Sequence, residues 1–323
     1  MRNTLIRVAS AAFLAGLIGI PANAEVDLNG NWQSRQHEDW IERGPGPDPV
    51  DYTGLPLSPE GRAKALSYTA AQLGMSERQC LYYVPHYVVF GPQGVKIWSE
   101  HDHVTGRIIA WKISAAVDRD IITVWMDGRP RPGRNEPHTF AGFTTGKWEG
   151  DMLTTYTTHI KEGYDRRNGV PSSDQATATM HIMRHGDLLT IMAVITDPVY
   201  LTEPHVVDRT WVLDPRANTP PTSAACFPFV ELPNLDGTAK VPHHLPGKNP
   251  DVAELVKLHN LPQDAILGFP ETIYPEYRKK IKDTYVRPEQ CKRYCCGWVA
   301  LGGPGSSPGL SCITNGSGRV FDQ

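Results

Sequence analysis

The chain has no apolar run of the roughly 20 residues that a membrane-spanning helix requires. Its longest, Val8 to Ile20, is shorter and lies next to the start. It lacks any excess of positive charge, with 32 Lys+Arg against 35 Asp+Glu, which argues against nucleic acid as a partner. Cysteines are few, six in 323 residues, with no Cys-x-x-Cys spacing beside histidines. That disfavours a structural zinc site.

What stands at the start is ordered. Arg2 and Arg7 precede the apolar run, and Pro21 and the small-residue site Ala22-Asn23-Ala24 follow it. This is the order of a cleaved secretory signal. The arginines are not adjacent and no cysteine follows Ala24, so neither twin-arginine export nor a lipid anchor is indicated. The expected product is a soluble periplasmic or secreted chain without a membrane anchor. An oxidising compartment permits the cysteines to pair, and Cys80 with Cys226 is one candidate bridge, two unpaired thiols being the alternative.

Five segments follow from composition: the signal, residues 1–24; an arm and helix, 25–80; a β domain, 81–213; a linker with packing helices, 214–285; and a Cys-rich, Gly/Ser/Pro tail, 286–323, expected to be poorly ordered. Ser58-Pro59-Glu60 announces a helix running to about Leu73, with Ser58 as cap and Pro59 at the first position. Between Leu81 and Leu213, β-branched and aromatic segments alternate with Gly, Pro, Asp and Asn. The pattern predicts antiparallel strands near 81–90, 94–100, 107–113, 120–126, 139–148, 151–159, 176–185, 188–196 and 205–213. Two or three short helices are expected between Asp251 and Lys282.

In an up-and-down meander, alternate connections fall at opposite ends of the sheet. One end then receives the longer loops 101–106, 127–138, 160–175 and 197–204. That rim would gather His101, His103, Arg129, Arg131, Arg134, His138, His159, Tyr164, Asp165, Arg166, Arg167, Tyr200, Glu203 and His205. Long loops at one end of a barrel are where ligands enter and catalytic groups are carried; loops also gather polar residues without any function.

Within the rim, His138 and His159, with Asp165 and Arg166, are the candidate acid/base and oxyanion-holding groups. The plainer reading is a strand-end histidine capped by its own loop, since no Gly-x-Ser-x-Gly motif stands next to it. Trp125, Tyr164, Arg167, Tyr200, Glu203 and His205 are the candidate ligand-contacting residues. His101 and His103 have the i, i+2 spacing that puts two imidazoles on one strand face. A divalent metal there needs a third ligand borrowed from His138 or His159, and solvated turn residues are the commoner outcome. No other cofactor is suggested. Asp127-Gly128-Arg129-Pro130 and Trp148-Glu149-Gly150-Asp151 read as turns. Trp98, Trp111, Trp125 and Trp211 read as core residues, or as the lining of an apolar cavity.

Gly30-Asn31-Trp32 followed by a β meander resembles the Gly-x-Trp start of lipocalins and other calycins. That resemblance implies a barrel of about eight strands with a ligand cavity, in which Arg209 on the last strand covers Trp32. A broader similarity, from Leu28 to about Ile281, is to a family of uncharacterised secreted bacterial proteins. It is carried by Asp51-Tyr52-Thr53-Gly54-Leu55-Pro56, Asp127-Gly128-Arg129-Pro130, Trp148-Glu149-Gly150-Asp151 and Tyr274-Pro275-Glu276-Tyr277. It implies export and β architecture and transfers no catalytic residue.

The expected fold is mainly β: an antiparallel meander forming a calycin-like barrel or a curved sheet, with peripheral N- and C-terminal helices. The leading expectation for function is binding of a small apolar or amphipathic molecule at the open end of the barrel. One alternative is a hydrolase, lyase or isomerase using rim histidines. The other is an envelope interaction protein.

Overall fold

The computed structural model describes residues 26–34, 47–69, 83–90, 94–115, 120–217 and 243–284, with the backbone of Cys296–Trp298 and Leu310–Cys312. The signal and the Cys80–Cys226 pairing lie outside the described residues. So does the tail, apart from the backbone pairing of those two short segments.

Nine strands close into a barrel. They are β1 (Gly30–Ser34), β2 (Val95–His101), β3 (Ile108–Ala115), β4 (Ile122–Trp125), β5 (Phe143–Glu149), β6 (Met152–Thr158), β9 (Thr177–His185), β10 (Leu188–Thr196) and β11 (His205–Leu213). Between β6 and β9 a small ribbon pairs β7 (Gly163–Tyr164) with β8 (Pro171–Ser172). Alternation produces the barrel wall. On β10, Leu189, Ile191, Ala193 and Ile195 are fully buried inside while the intervening residues face outward. Trp32, Trp111, Trp211, Met180 and Arg209 share the filled interior.

Three features depart from the expected meander. The first is β1, expected only as the start of an arm, which is the strand that closes the barrel. Trp32 pairs with Leu213 on one side and with Val95 on the other. Second, residues 81–90 hold no strand among those described. Pro85–Val89 is a 3-10 turn, because Pro85 has no N–H to give a ladder and its fixed φ suits a helical first position.

Third, β4 and β5 are parallel. The connection between them therefore travels the length of the barrel on its outer face. The Arg129 guanidinium lies 3.3 Å from the centre of the Trp125 ring and that of Arg131 lies 4.2 Å from the Tyr156 ring. Farther along, Gly133 O accepts from His159 Nε2 at 2.9 Å. This crossover undoes the sorting of loops by end. His101 and His103 belong to the end that carries the hairpins 150–151 and 186–187. His138, His159, the 159–176 connection and 197–204 belong to the opposite end, here termed the mouth.

Helix α1 (Pro59–Ser67) starts where expected, its Ser58 Oγ accepting from Gly61 N at 3.0 Å, and ends earlier, at Ser67. Helices α2 (Asp251–His259), α3 (Gln263–Ile266) and α4 (Pro275–Ile281) follow the linker. The α3 end is stitched to the arm by Tyr52 N to Ile266 O, 2.8 Å, and Leu57 N to Gly268 O, 3.2 Å. Gly268 has φ +68°, and a Cβ there would meet Leu55 O at 2.9 Å; only glycine fits.

Candidate functional site at the barrel mouth

The mouth is covered by the 3-10 turn Pro85–Val89. Its residues pack on the ends of β10 and β11, and Tyr87 and Val84 make a small core with Ile160. In a 3-10 turn side chains point in three directions. Here Pro85 and Val88 line a small recess with Tyr83, Ile113, Ile122, Phe140 and Asp120. Burial pushes the Asp120 carboxyl upward, against a hydrogen bond from the backbone of Ala141.

His86 is fully buried. Its Nε2 lies 2.7 Å from Asp165 Oδ1, a carboxylate that is itself buried. His205, on the inward-facing side of β11, stacks on Phe90 with ring centroids 5.9 Å apart and planes 7° from parallel. Arg166 sits 5.9 Å from the same Phe90 ring, and Arg167 Nε donates to Tyr87 Oη at 3.1 Å. Burial, the Arg166 guanidinium and His86 push the His205 imidazole down to about 4, with the Asp165 carboxylate opposing them. His205 is therefore neutral at neutral pH. Two imidazole nitrogens here, His86 Nδ1 and His205 Nε2, are buried with no hydrogen-bond partner among the described residues.

The loop that carries Asp165, Arg166 and Arg167 is fixed from behind. Asp197, buried, accepts from Ser173 N and Ser173 Oγ at 2.7 Å each, and from Val199 N and Tyr200 N at 2.9 and 3.1 Å. Asn168 Nδ2 donates to Asp48 O and Asp51 O. These bonds tie the 159–176 and 197–204 connections to each other and to the arm, so the polar groups of the mouth are held on a rigid base.

Of the residues expected at the rim, Asp165, Arg166, Arg167 and His205 are brought together. The others are not. His138 and His159 lie on the far side of the mouth, beyond β9 and β10, with rings 5.2 Å apart. His138 Nδ1 donates to Ile160 O, and both nitrogens of His159 are engaged, by Thr158 Oγ1 and Gly133 O. Through these bonds the two histidines cap the loops they belong to. Tyr164 meets Tyr68 edge-on at 5.5 Å. The Tyr200 ring lies under Lys64, and Glu203 accepts from Tyr274 Oη at 2.9 Å; both join the mouth loops to the outer helices instead of lining the mouth.

Trp125 is on the outer wall under Arg129, and Trp98 likewise faces outward, whereas Trp111 and Trp211 are core. The cation over Trp32 is Arg184, at 5.2 Å; Arg209 is inside the barrel, 5.6 Å from the Trp211 ring. His101 is held by Ser99 Oγ and Gly106 O at the opposite end. His138 and His159 are thus a barrel length away and supply it no third ligand. Among the described residues no three His, Cys, Asp or Glu gather around a common point.

His86 was the residue that sequence reasoning missed. The signal was Pro85, which removes a ladder donor from an apparent strand and so frees His86-Tyr87 to form a plug.

Compared with family models, with curated proteins and with solved structures, the chain finds no match in any of the three.

Proposed function

We propose that this is an exported protein that binds a small amphipathic molecule at the mouth of its barrel, the polar end meeting His86 and His205 beneath the Pro85–Val89 turn. One observation carries this reading: two buried imidazole nitrogens without a hydrogen-bond partner in one polar cluster. Leaving such an atom unsatisfied costs roughly 1–3 kcal/mol, and a bound polar group removes the cost. The filled interior directs the ligand to the mouth and away from the barrel centre. Native mass spectrometry of the mature protein from an exporting host, before and after denaturation, together with displacement of N-phenylnaphthylamine fluorescence, tests it. A small organic increment or saturable displacement, lost in His205→Phe, is expected. An empty chain that binds no amphiphile would overturn the proposal.

The buried His86–Asp165 pair favours a second reading, in which the bound molecule is also a substrate. A carboxylate holding one imidazole nitrogen leaves the other as a general base. Turnover lost in Asp165→Asn with binding retained distinguishes this from binding alone.

A further inference from the structure

We infer that the Pro85–Val89 turn is an acid-released cover: a proton taken up by His205 lifts the turn and Phe90 off the barrel mouth while the barrel beneath stays closed. The inference goes beyond the reading of the mouth as a binding site, and it holds or fails without any ligand.

The geometry separates the cover from the wall it closes. The turn lies outside the strand order of the barrel, and its own bonds are short-range, Tyr87 N to Val84 O and Phe90 N to Tyr87 O at 2.9 Å each. Two side-chain contacts reach it from the 159–176 connection, His86 Nε2 to Asp165 Oδ1 at 2.7 Å and Arg167 Nε to Tyr87 Oη at 3.1 Å. On β11, the His205 ring lies flat against Phe90. By contrast, β10 is paired on both sides along nearly its whole length, with β9 and with β11. A short segment held by packing and a few side-chain bonds opens at a lower free energy than a central strand. The cover can therefore move without the barrel.

His205 is the group on which that movement turns. Arg166 and Asp165 of the connection and His86 of the turn face it, and Arg167 stands one contact farther, at Tyr87. Arginine keeps its charge through the acid range, so a protonated His205 adds a second cation beside Phe90, 5.9 Å from whose ring Arg166 already sits. Asp165 opposes them while it is engaged with His86. With the cover down, burial first, then Arg166 and His86, hold the imidazole at about 4 against the pull of Asp165. With the cover raised, water reaches the ring and the ordinary value near 6.5 returns.

Between these limits the raised form binds the extra proton. The closed cover thus has its full strength above about pH 6.5 and loses it as pH falls toward 4. From pH 7 to pH 5 the population of the raised form grows about 20-fold. Asp120, at the recess beside Pro85 and Val88, acts in the opposite sense: burial raises its pKa, so its protonation favours the closed form.

The test is amide hydrogen exchange of the full mature protein, without ligand, at pH 7, 6 and 5, each rate divided by the intrinsic rate at that pH. Amides of Tyr87 to Phe90 are expected to be less protected than those of β10 at every pH, and their protection is expected to fall about 20-fold from pH 7 to pH 5. In His205→Phe, which keeps a ring against Phe90 and cannot take the proton, most of that fall should disappear. If the variant does not fold, the two wild-type comparisons decide.

Equal protection of the turn and β10 at every pH overturns the inference, because the turn then leaves only when the barrel unfolds. Turn protection that stays constant from pH 7 to pH 5, or falls equally in His205→Phe, overturns it as well. Either result leaves binding at the mouth intact. Failure of the dye to be displaced, with the exchange pattern as expected, strikes the binding proposal alone.

Discussion

His86 and Asp165 are 79 positions apart in the chain and 2.7 Å apart in the barrel mouth, both withdrawn from water. One belongs to a 3-10 turn and the other to the long connection after β6. Their bond therefore fastens the cover of the mouth to the loop behind it.

Asp165→Ala should destabilise the fold by roughly 1–3 kcal/mol, because it leaves the Nε2–H of His86 buried without an acceptor. Asp165→Asn, which retains an amide oxygen in the same place, should cost less. Urea denaturation of the three proteins checks the order. Equal midpoints for Ala and wild type would remove the fastening role.

Acid should weaken the protein through His205. Its folded pKa, about 4, lies below the ordinary value near 6.5, so between those limits the unfolded chain binds the extra proton. Stability is then full above about pH 6.5 and falls as pH drops toward 4, by roughly 3 kcal/mol in all from this one group. Thermal unfolding followed from pH 7 to pH 4 should show a flatter decline in His205→Phe than in wild type.

His159 has φ +56° at the end of β6, a region where a β-branched residue is strained and Asn is tolerated. Both His159→Asn and His159→Val lose the bond to Gly133 O, so the difference between them isolates the backbone. Val is expected to be less stable by roughly 1–3 kcal/mol in melting experiments. Neither His159→Asn nor His138→Ala should alter displacement of the amphiphilic dye.

Two tryptophans separate wall from core. Trp211→Ala, inside the barrel, should cost roughly 3–5 kcal/mol. Trp125→Ala, on the outer face, chiefly removes its stacking with Arg129, worth roughly 0.5–2 kcal/mol. Ligand displacement should be unchanged in Trp125→Ala, which contradicts its expected place in the ligand site if confirmed.

Eight of the nine barrel strands were legible as alternation, and Ser58, Gly150 and Gly186 marked a helix start and two hairpins at their places. These signals are local. Whether a residue faces in or out along β10, or a chain can turn at Glu149-Gly150-Asp151, depends on neighbours a few positions away. The connection from Met126 to Gly142 was not legible in this way. Its length permits a hairpin or a crossover alike; the structure has the crossover, with Arg129 and Arg131 lying over the Trp125 and Tyr156 rings along it.

The mouth shows the same division. Asp165, Arg166, Arg167 and His205 stood out because polar residues crowded a loop and a strand end. Their joining to His86, and the separation of His101, His103, His138 and His159 from them, followed from barrel closure by β1 and from the parallel β4–β5 pair. The sequence by itself determined a β-rich chain with a short helix before it and helices after it, since periodicity and turn residues act at short range. Only the tertiary structure decided which histidine meets which carboxylate, because that depends on strand order and direction, which packing over the whole barrel selects.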